Sequence, residues 1–241
     1  MKRIAVFTEG QAEAIFIREF LFRLVDPSKL SFSYIKLNAD IMQRVREFSC
    51  PNPEVHFEII NVQNDEKVLT VIKDTEKRLI ERGQYEKIIG LRDMYSGEYD
   101  KRSHGKINDD VTNQIMNIHK SIIQTMKYSN RIKLYYCIME IEAWFLSMYN
   151  VFPRINSTLS VDYIASHLGF DLRVIDPQKA FFKPSRELNK IFELCGLEYK
   201  KKKGDVEKIT SKIEIRDFDD ARENNRCGCF DVFYKEIKDC V

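Results

Sequence analysis

Short apolar runs alternate with longer amphipathic segments through the first 150 residues of the chain. The apolar runs are typical of buried strands, and the amphipathic segments repeat apolar residues at helical spacing. The runs cover residues 4–7, 55–62, 87–91 and 131–139, and the helical segments cover 14–24, 65–82 and 109–127. This alternation predicts an α/β fold in which helices flank a mainly parallel sheet of about four strands.

The remaining segments are less regular. Residues 33–37 leave two interpretations open, a short strand or an excursion, and the polar residues 98–108 predict a mobile loop. Beyond residue 150, short amphipathic helices are predicted at 162–168 and 186–194, without strong strands between them. We therefore expect an α/β core over residues 1–150 and a mainly helical C-terminal extension, packed on that core, over residues 151–241.

Composition and charge set broad limits on function. With 241 residues, 44% hydrophobic and 32% charged, the chain has the make-up of a globular protein with one good core. A net charge of +2 neither requires nor excludes nucleic acid, because a local patch matters more than the sum. No apolar run reaches membrane-spanning length, and the N-terminus lacks a signal-peptide pattern. We expect a cytoplasmic protein that does not contact membranes.

The six cysteines include one close pair, Cys227 and Cys229. A structural zinc site normally needs a second pair at similar spacing, which the sequence lacks. Reduced thiols in a reducing compartment are therefore the favoured interpretation, with structural zinc as the alternative.

Carboxylates follow three of the predicted strands. Glu9 follows the first, Asp93 the third, and Glu140 and Glu142 the fourth. Carboxyl ends of parallel strands meet at one edge of a sheet, so we expect these side chains to converge. Carboxylate oxygens suit Mg²⁺ or Mn²⁺, and two such ions can activate water for phosphodiester cleavage. Each residue alone is equally explained as a helix cap.

The spacing of Glu140 and Glu142 leaves two arrangements open. Residues i and i+2 of a helix point apart, so the two share a face only if the strand conformation extends over both, and otherwise one coordinates metal while the other orients a neighbour. Glu140 is the first choice as a ligand, with Glu142 close behind. Glu13 falls in the first turn of a predicted helix, where the macrodipole favours a carboxylate whether or not metal binds. Glu9, between a strand and Gly10, is the stronger metal candidate.

Several basic side chains are candidates for contacts with a phosphate backbone. They are Lys101, Arg102 and His104 in the polar segment, and Lys183, Arg186 and Lys201 farther along. Lys183 is also a catalytic candidate, because a lysine near metal stabilises charge on a scissile phosphate. A solvated surface is the alternative interpretation of the lysine run at 200–203.

Several of these motifs together resemble a known family. The turns at 8–13 and 93–97 resemble those of the Toprim fold of metal-dependent nucleases, topoisomerases and primases. The resemblance is closer to the overcoming-lysogenization-defect (OLD) nucleases and a related bacterial Toprim-like family. It extends over the segments 140–143, 183–186 and 227–230, and so over nearly the whole chain.

The resemblance implies a four-stranded parallel Toprim sheet, bound Mg²⁺ or Mn²⁺, and action on DNA or RNA. It implies that Glu9 and Asp93 contact metal directly and that Glu13 assists a second ion. It also implies a partner ATPase of the ABC or AAA type in anti-phage defence. Toprim proteins commonly carry Asp-x-Asp after the third strand, and here Tyr95 stands at the second aspartate position.

These observations predict a divalent-metal-dependent nuclease in which Glu9, Asp93 and Glu140 hold metal and Lys183 assists catalysis. Tyr95 favours the alternative, a catalytically degenerate Toprim module that binds nucleic acid or a partner ATPase without cleavage. A nucleotide-handling transferase is a weaker third interpretation. The sequence lacks a GxxxxGK[ST] loop, so we expect any ATPase activity to come from a partner. The sequence leaves a homo-oligomer open.

Overall fold

The computed structural model describes residues 1–38, 41–63, 67–223 and 226–241. Within these residues one sheet is formed by β1 (Lys2–Thr8), β2 (Leu30–Asn38), β3 (Ile41–Ser49), β4 (Val55–Asn61), β5 (Lys87–Asp93) and β6 (Ile132–Cys137). The strand order is β3-β2-β4-β1-β5-β6. β1 pairs in parallel with β4 and β5, β2 pairs in parallel with β4, and β3 runs antiparallel to β2. The α/β class with a mostly parallel sheet is thus confirmed.

The strand β1 lies inside the sheet and is apolar nearly throughout. Its residues from Ile4 to Phe7 are almost completely buried. A parallel strand covered on both faces has no solvent-facing side, so it reads as a continuous apolar run rather than as an alternation. This is why the first strand was predictable from four residues.

The prediction of about four strands was wrong, because β2 and β3 add two more. The segment 33–37 is part of β2, so its interpretation as a strand is confirmed. β3 was not predicted because it is an edge strand with mostly exposed side chains, including Arg44 and Arg46. Charged residues on an edge strand discourage pairing with other chains, and they also hide the apolar alternation that identifies a strand.

Helices account for most of the remaining described residues. They are α1 (Gln11–Leu24), α2 (Val68–Lys77), α3 (Gly97–Ser103), α4 (Asp109–Gln124), α5 (Glu142–Ser147), α6 (Phe152–Ile155), α7 (Val161–Leu168), α8 (Pro177–Ala180), α9 (Pro184–Glu193), α10 (Lys203–Thr210), α11 (Ile215–Arg222) and α12 (Gly228–Lys238). The predicted start of the second helix falls on residues 64–66, outside the described residues. None of the described helices is long and apolar enough to cross a membrane.

The segment predicted as a polar loop, 98–108, begins instead with the helix α3. Ser96 starts this helix, because its hydroxyl oxygen accepts a hydrogen bond from the Tyr99 N–H at 3.1 Å. Tyr99 is fully buried and anchors the helix to its surroundings. The polar residues of the segment form the exposed face of this helix. The prediction of a loop was therefore wrong for residues up to Ser103.

The chain divides into two compact units. The first unit comprises residues 1–92, 108–136 and 236–241 and holds nearly all of the sheet. The second comprises residues 93–107 and 137–235 and is mainly helical. The predicted division at residue 150 stays a prediction, since the compact units are drawn from interleaved parts of the chain. Trp144 is fully buried within the second unit.

Candidate functional site

In the first unit, the turn from β1 into α1 holds Glu13. The backbone N–H of Gly10 donates to Glu13 Oε2 at 2.8 Å, and Glu13 is only 4% exposed. A Cβ atom on Gly10 would lie 2.9 Å from the same oxygen, so glycine allows this close approach. The contact is one half of a capping box, and it supports the interpretation of Glu13 as a helix-start residue.

Glu9 lies at the same turn and pairs with a buried cation. Its carboxylate Oε2 is 3.9 Å from Nε of Arg92, and both side chains are less than a tenth exposed. The Glu9 N–H donates to the carbonyl of Leu91 at 3.3 Å, which extends the pairing of β1 with β5 by one residue. Glu9 is therefore a fixed, buried carboxylate at the strand end, as the sequence indicated.

In the second unit, Asp93 closes a turn formed by two chain segments. Just after β5, the Met94 N–H donates to the carbonyl of Cys137, and the Tyr95 N–H donates to the carbonyl of Met139, each at 2.8 Å. The Ile141 N–H then donates to Asp93 Oδ1 at 3.0 Å, just before α5 begins. Asp93 therefore has a structural role in starting α5 through one carboxylate oxygen.

Glu140 follows an unusual backbone conformation. Met139 has φ of 65°, a left-handed conformation that is uncommon for a residue with a side chain and tends to occur at functional sites. Glu140 Oε2 accepts the N–H of Ser185, in the first turn of α9, at 2.8 Å. Its other oxygen, Oε1, accepts a hydrogen bond from Lys201 Nζ at 2.9 Å. Both oxygens of Glu140 are thus held by donors from the C-terminal part of the chain.

Glu142 is the most deeply buried of these carboxylates, with no exposed surface. The hydroxyl of Tyr199 donates to Glu142 Oε1 at 2.7 Å, and Lys201 Nζ lies 3.0 Å from Oε2. The helix-spacing objection to joint action of Glu140 and Glu142 does not apply, because α5 begins only at Glu142. Both carboxylates reach the same ammonium.

Lys201 is held in position by its backbone as well as by its charge. It has φ of 55°, and the N–H groups of its neighbours Lys200 and Lys202 both donate to Asp205 Oδ2, at 2.8 and 3.2 Å. Asp205 thereby pins the chain on either side of Lys201. We call Asp93, Glu140, Glu142 and Lys201 the carboxylate–lysine cluster.

Electrostatics within the cluster favour the charged lysine. Burial lowers the pKa of Lys201, but the negative charges of Glu142, Asp93 and Glu140 outweigh it and raise this pKa well above its ordinary value. Burial raises the pKa of Glu142, and the ammonium of Lys201 opposes that rise. The ammonium is therefore the charge that lets a carboxylate without solvent contact exist in this position.

The cluster has the donor chemistry of a cation site, but an ammonium already contacts two of its carboxylates. Carboxylate oxygens are the ligands that Mg²⁺ and Mn²⁺ prefer. Within the described ranges, no group of three or more His, Cys, Asp or Glu side chains is arranged to hold a metal ion. For Glu140 and Glu142 to ligate metal, the ammonium of Lys201 would have to move aside. Glu9 belongs to the first unit, and its predicted convergence with the cluster stays a prediction.

The predicted nucleic-acid contacts fall into two groups in the second unit. Lys183 Nζ lies 5.0 Å from the centre of the Tyr95 ring, a cation–π contact, and Tyr95 packs edge-on against Phe182. Lys183 and Arg186 line a concavity of about 430 Å³ together with Phe182.

A second concavity, of about 570 Å³, is also lined by Arg186 and includes Lys201. The remaining basic candidates belong to α3 or its end. Lys101 and His104 are exposed, and Arg102 Nη1 lies 3.5 Å from Glu98 Oε1. These six residues stay predicted contacts, and Lys201 is in addition engaged with buried carboxylates.

Two residues of the site were not predicted from the sequence. Tyr199 orients Glu142, and Asp205 positions Lys201. A signal for Asp205 was present: its carboxylate three residues after Lys202 is the spacing of a residue that reaches back to a helix start. For Tyr199 no local pattern exists, since its partner lies 57 residues earlier in the chain.

The chain was compared with protein-family models, curated proteins and solved structures to find its family. None of the three gives a significant match to this chain. The resemblance to Toprim and OLD-type nucleases therefore stays a prediction made from the motifs.

Proposed function

We propose that this chain is a divalent-metal-dependent nuclease that hydrolyses phosphodiester bonds of DNA or RNA at the carboxylate–lysine cluster. The supporting observation is the convergence of three buried carboxylates. Glu140 and Glu142 contact the ammonium of Lys201, the charge of Asp93 acts on the pKa of the same ammonium, and each of the three side chains is less than a tenth exposed. Carboxylate oxygens gathered in this way are the ligands that Mg²⁺ and Mn²⁺ prefer.

In this proposal Asp93 and Glu140 hold the metal, and Glu142 lies beside them. A bound metal would lower the pKa of the water that it coordinates and would neutralise negative charge on the phosphate. The protein's own groups hold the ligands in place. The Ser185 N–H orients Glu140, and Tyr199 orients Glu142.

Basic side chains complete the proposed site. Lys183 and Arg186 line one concavity, and Arg186 and Lys201 line another, so phosphate groups bound in either concavity would meet cations. A lysine close to the metal ligands can also stabilise negative charge that develops on the phosphate.

Cleavage assays with the full chain test this proposal. Linear DNA, supercoiled DNA and RNA are incubated with Mg²⁺ or Mn²⁺, using the wild type, Asp93→Asn and Glu140→Gln. We expect both variants to lose about 100-fold or more of the activity. Asp219→Asn is the matched control, because Asp219 is an exposed carboxylate of the same unit that lines neither concavity. Equal cleavage by wild type and both variants would contradict the proposal.

One observation favours a second candidate function, binding without cleavage. Lys201 contacts both Glu140 and Glu142, and Tyr95 occupies the position of a second aspartate. A site in which the ammonium of Lys201 takes the place of a metal ion would be catalytically degenerate. This candidate predicts salt-dependent binding of nucleic acid that Arg186→Ala weakens and that Mg²⁺ does not convert into cleavage.

The wider setting is part of the same proposal and is supported by the motif resemblance. It comprises an ABC-type or AAA-type ATPase partner, a role in anti-phage defence, a cytoplasmic location and an optional homo-oligomer. Co-purification of an ABC-type or AAA-type ATPase with the tagged chain from its native cells tests the partner directly.

A further inference from the structure

Two cysteines meet at the start of α12. The carbonyl of Cys227 accepts the Asp231 N–H at 3.1 Å, so Cys227 begins the helix and Cys229 lies in its first turn. Both residues are reduced, and their thiols are within hydrogen-bonding distance of each other. Cys227 lies just before Gly228, where α12 begins, so helical spacing does not turn its side chain away from Cys229, and the hydrogen bond between the two thiols brings the sulfurs that a disulfide must join next to each other.

The surroundings of the two thiols differ. Trp144 Nε1–H donates to Cys229 Sγ at 3.0 Å, and the backbone of Ile138 and the Cys227 thiol also hydrogen-bond to this sulfur. Burial raises the pKa of Cys229, but these donors outweigh it and lower the pKa below its ordinary value. Burial raises the pKa of Cys227, which therefore keeps its proton. Cys229 is half-buried, whereas Cys227 has no exposed surface.

We propose that Cys227 and Cys229 form a thiol–disulfide exchange site that reacts with small disulfides of the glutathione class. The Cys229 thiolate attacks one sulfur of glutathione disulfide, which forms a mixed disulfide and releases one glutathione thiolate. Cys227 then loses its proton to solvent and attacks Cys229 Sγ, which releases the second glutathione. Two protein thiols are oxidised to one disulfide, and glutathione disulfide is reduced to two thiols.

The order of attack follows from the geometry. Cys229 has three hydrogen-bond donors around its sulfur and is the more accessible of the pair, so it reacts first. Cys227 donates its S–H to Cys229 and already lies next to the sulfur that it must attack in the second step. This proposal concerns residues outside the carboxylate–lysine cluster and does not depend on the proposed nuclease function.

The thiol pair also has a built-in reporter. Trp144 is the single tryptophan of the chain, and its indole N–H bonds directly to Cys229 Sγ. Trp144 belongs to α5, the helix that begins with Glu142. Oxidation changes the sulfur that accepts this hydrogen bond from that of a free cysteine to that of a disulfide, so the fluorescence of Trp144 should follow the redox state of the pair.

Redox titration of the full chain tests the proposal. The reduced protein is equilibrated in glutathione buffers of increasing oxidised fraction, then alkylated in denaturant and measured by mass spectrometry. We expect the peptide with Cys227 and Cys229 to carry two alkyl groups when reduced, and when oxidised to carry none and to be two hydrogen masses lighter than the unmodified dithiol peptide, with a change of Trp144 fluorescence at the same midpoint. Cys229→Ser should abolish both signals, and Cys227→Ser should stop at one stable glutathione adduct.

Cys195→Ser is the matched control. Cys195 is also half-buried, and its thiol donates a hydrogen bond to the carbonyl of Phe192. This variant should keep the wild-type titration. The proposal is overturned if the pair stays fully reduced in strongly oxidising buffer, or if Cys229 carries a glutathione adduct that never resolves in the wild type. Circular dichroism of each variant confirms that the chain is folded.

Discussion

Lys201 Nζ lies 3.0 Å from Glu142 Oε2, and this pair joins a partly exposed lysine to a carboxylate with no exposed surface. The lysine side chain is 39% exposed, so its stem runs from the surface to a buried anion. Glu140 contacts the same ammonium, with its Oε1 at 2.9 Å from Lys201 Nζ. The pair therefore ties the C-terminal part of the chain to the turn that follows β6.

Replacing Lys201 by methionine should destabilise the protein. The change keeps the apolar stem but leaves Glu140 and Glu142 without their shared cation. Removing one partner of a fully buried pair costs about 3–5 kcal/mol, and the partial exposure of Lys201 reduces our expectation to about 1–3 kcal/mol. Urea denaturation measures the free energy of unfolding.

Lys200→Met is the control for this change, since Lys200 pairs with Glu198 on the surface and both side chains are more than half exposed. We expect that variant to stay within about 0.5 kcal/mol of the wild type. Equal stabilities of the Lys201 and Lys200 variants would show that the buried ion pair contributes little.

Tyr199→Phe should weaken the site without creating a large cavity. The change removes the 2.7 Å hydrogen bond to Glu142 and leaves one oxygen of a buried carboxylate without that donor. Hydrogen bonds to charged groups contribute about 1.5–3 kcal/mol, so we expect a loss of stability in that range. Thermal unfolding followed by circular dichroism measures it, and an unchanged midpoint would argue against a charged Glu142.

Asp205→Ala should loosen Lys201 without touching it. The aspartate accepts the N–H groups of Lys200 and Lys202, and both bonds are lost in the variant. We expect a loss of about 1 kcal/mol, typical of helix-start side chains, together with faster amide hydrogen exchange at residues 200–202. Glu207→Ala, two residues later in α10, is the control and should leave the exchange of these amides unchanged.

His56 should make stability depend on pH. Its Nδ1 lies 2.8 Å from Ser31 Oγ and its Nε2 lies 3.3 Å from Ser33 Oγ. Burial, aided by the charge of Arg3, lowers the pKa of His56 below its ordinary value. As pH falls below about 6.5 the unfolded chain takes up this proton before the folded chain does, so the free energy of unfolding should decrease.

The contribution of His56 is isolated by comparing the wild type with His56→Gln between neutral and mildly acidic pH. The variant should show a shallower decline of stability, while His167→Gln, at an exposed histidine, should follow the wild type. A wild-type curve parallel to that of His56→Gln would mean that His56 does not titrate differently on folding.

The sequence predicted the buried strands and the strand-end carboxylates, because continuous apolar runs and the acidic residues after them are local features. It did not predict β3, whose exposed side chains carry no apolar alternation. The role of Lys201 was also beyond local reasoning. Its partner Glu140 lies 61 residues away in the chain. A run of four lysines is typical of solvated surface, and only the tertiary structure shows that one of them contacts a buried carboxylate.

Calorimetric titration with Mn²⁺ tests the central claim most directly, namely that Asp93 and Glu140 belong to a cation site. The full-length wild type, Asp93→Asn, Glu140→Gln and Asp219→Asn are compared, with circular dichroism to confirm folding. We predict binding at up to about 1 mM Mn²⁺ by the wild type and Asp219→Asn, and its loss in the other two variants. Absence of binding by the folded wild type, or equal binding by Asp93→Asn, would contradict the account.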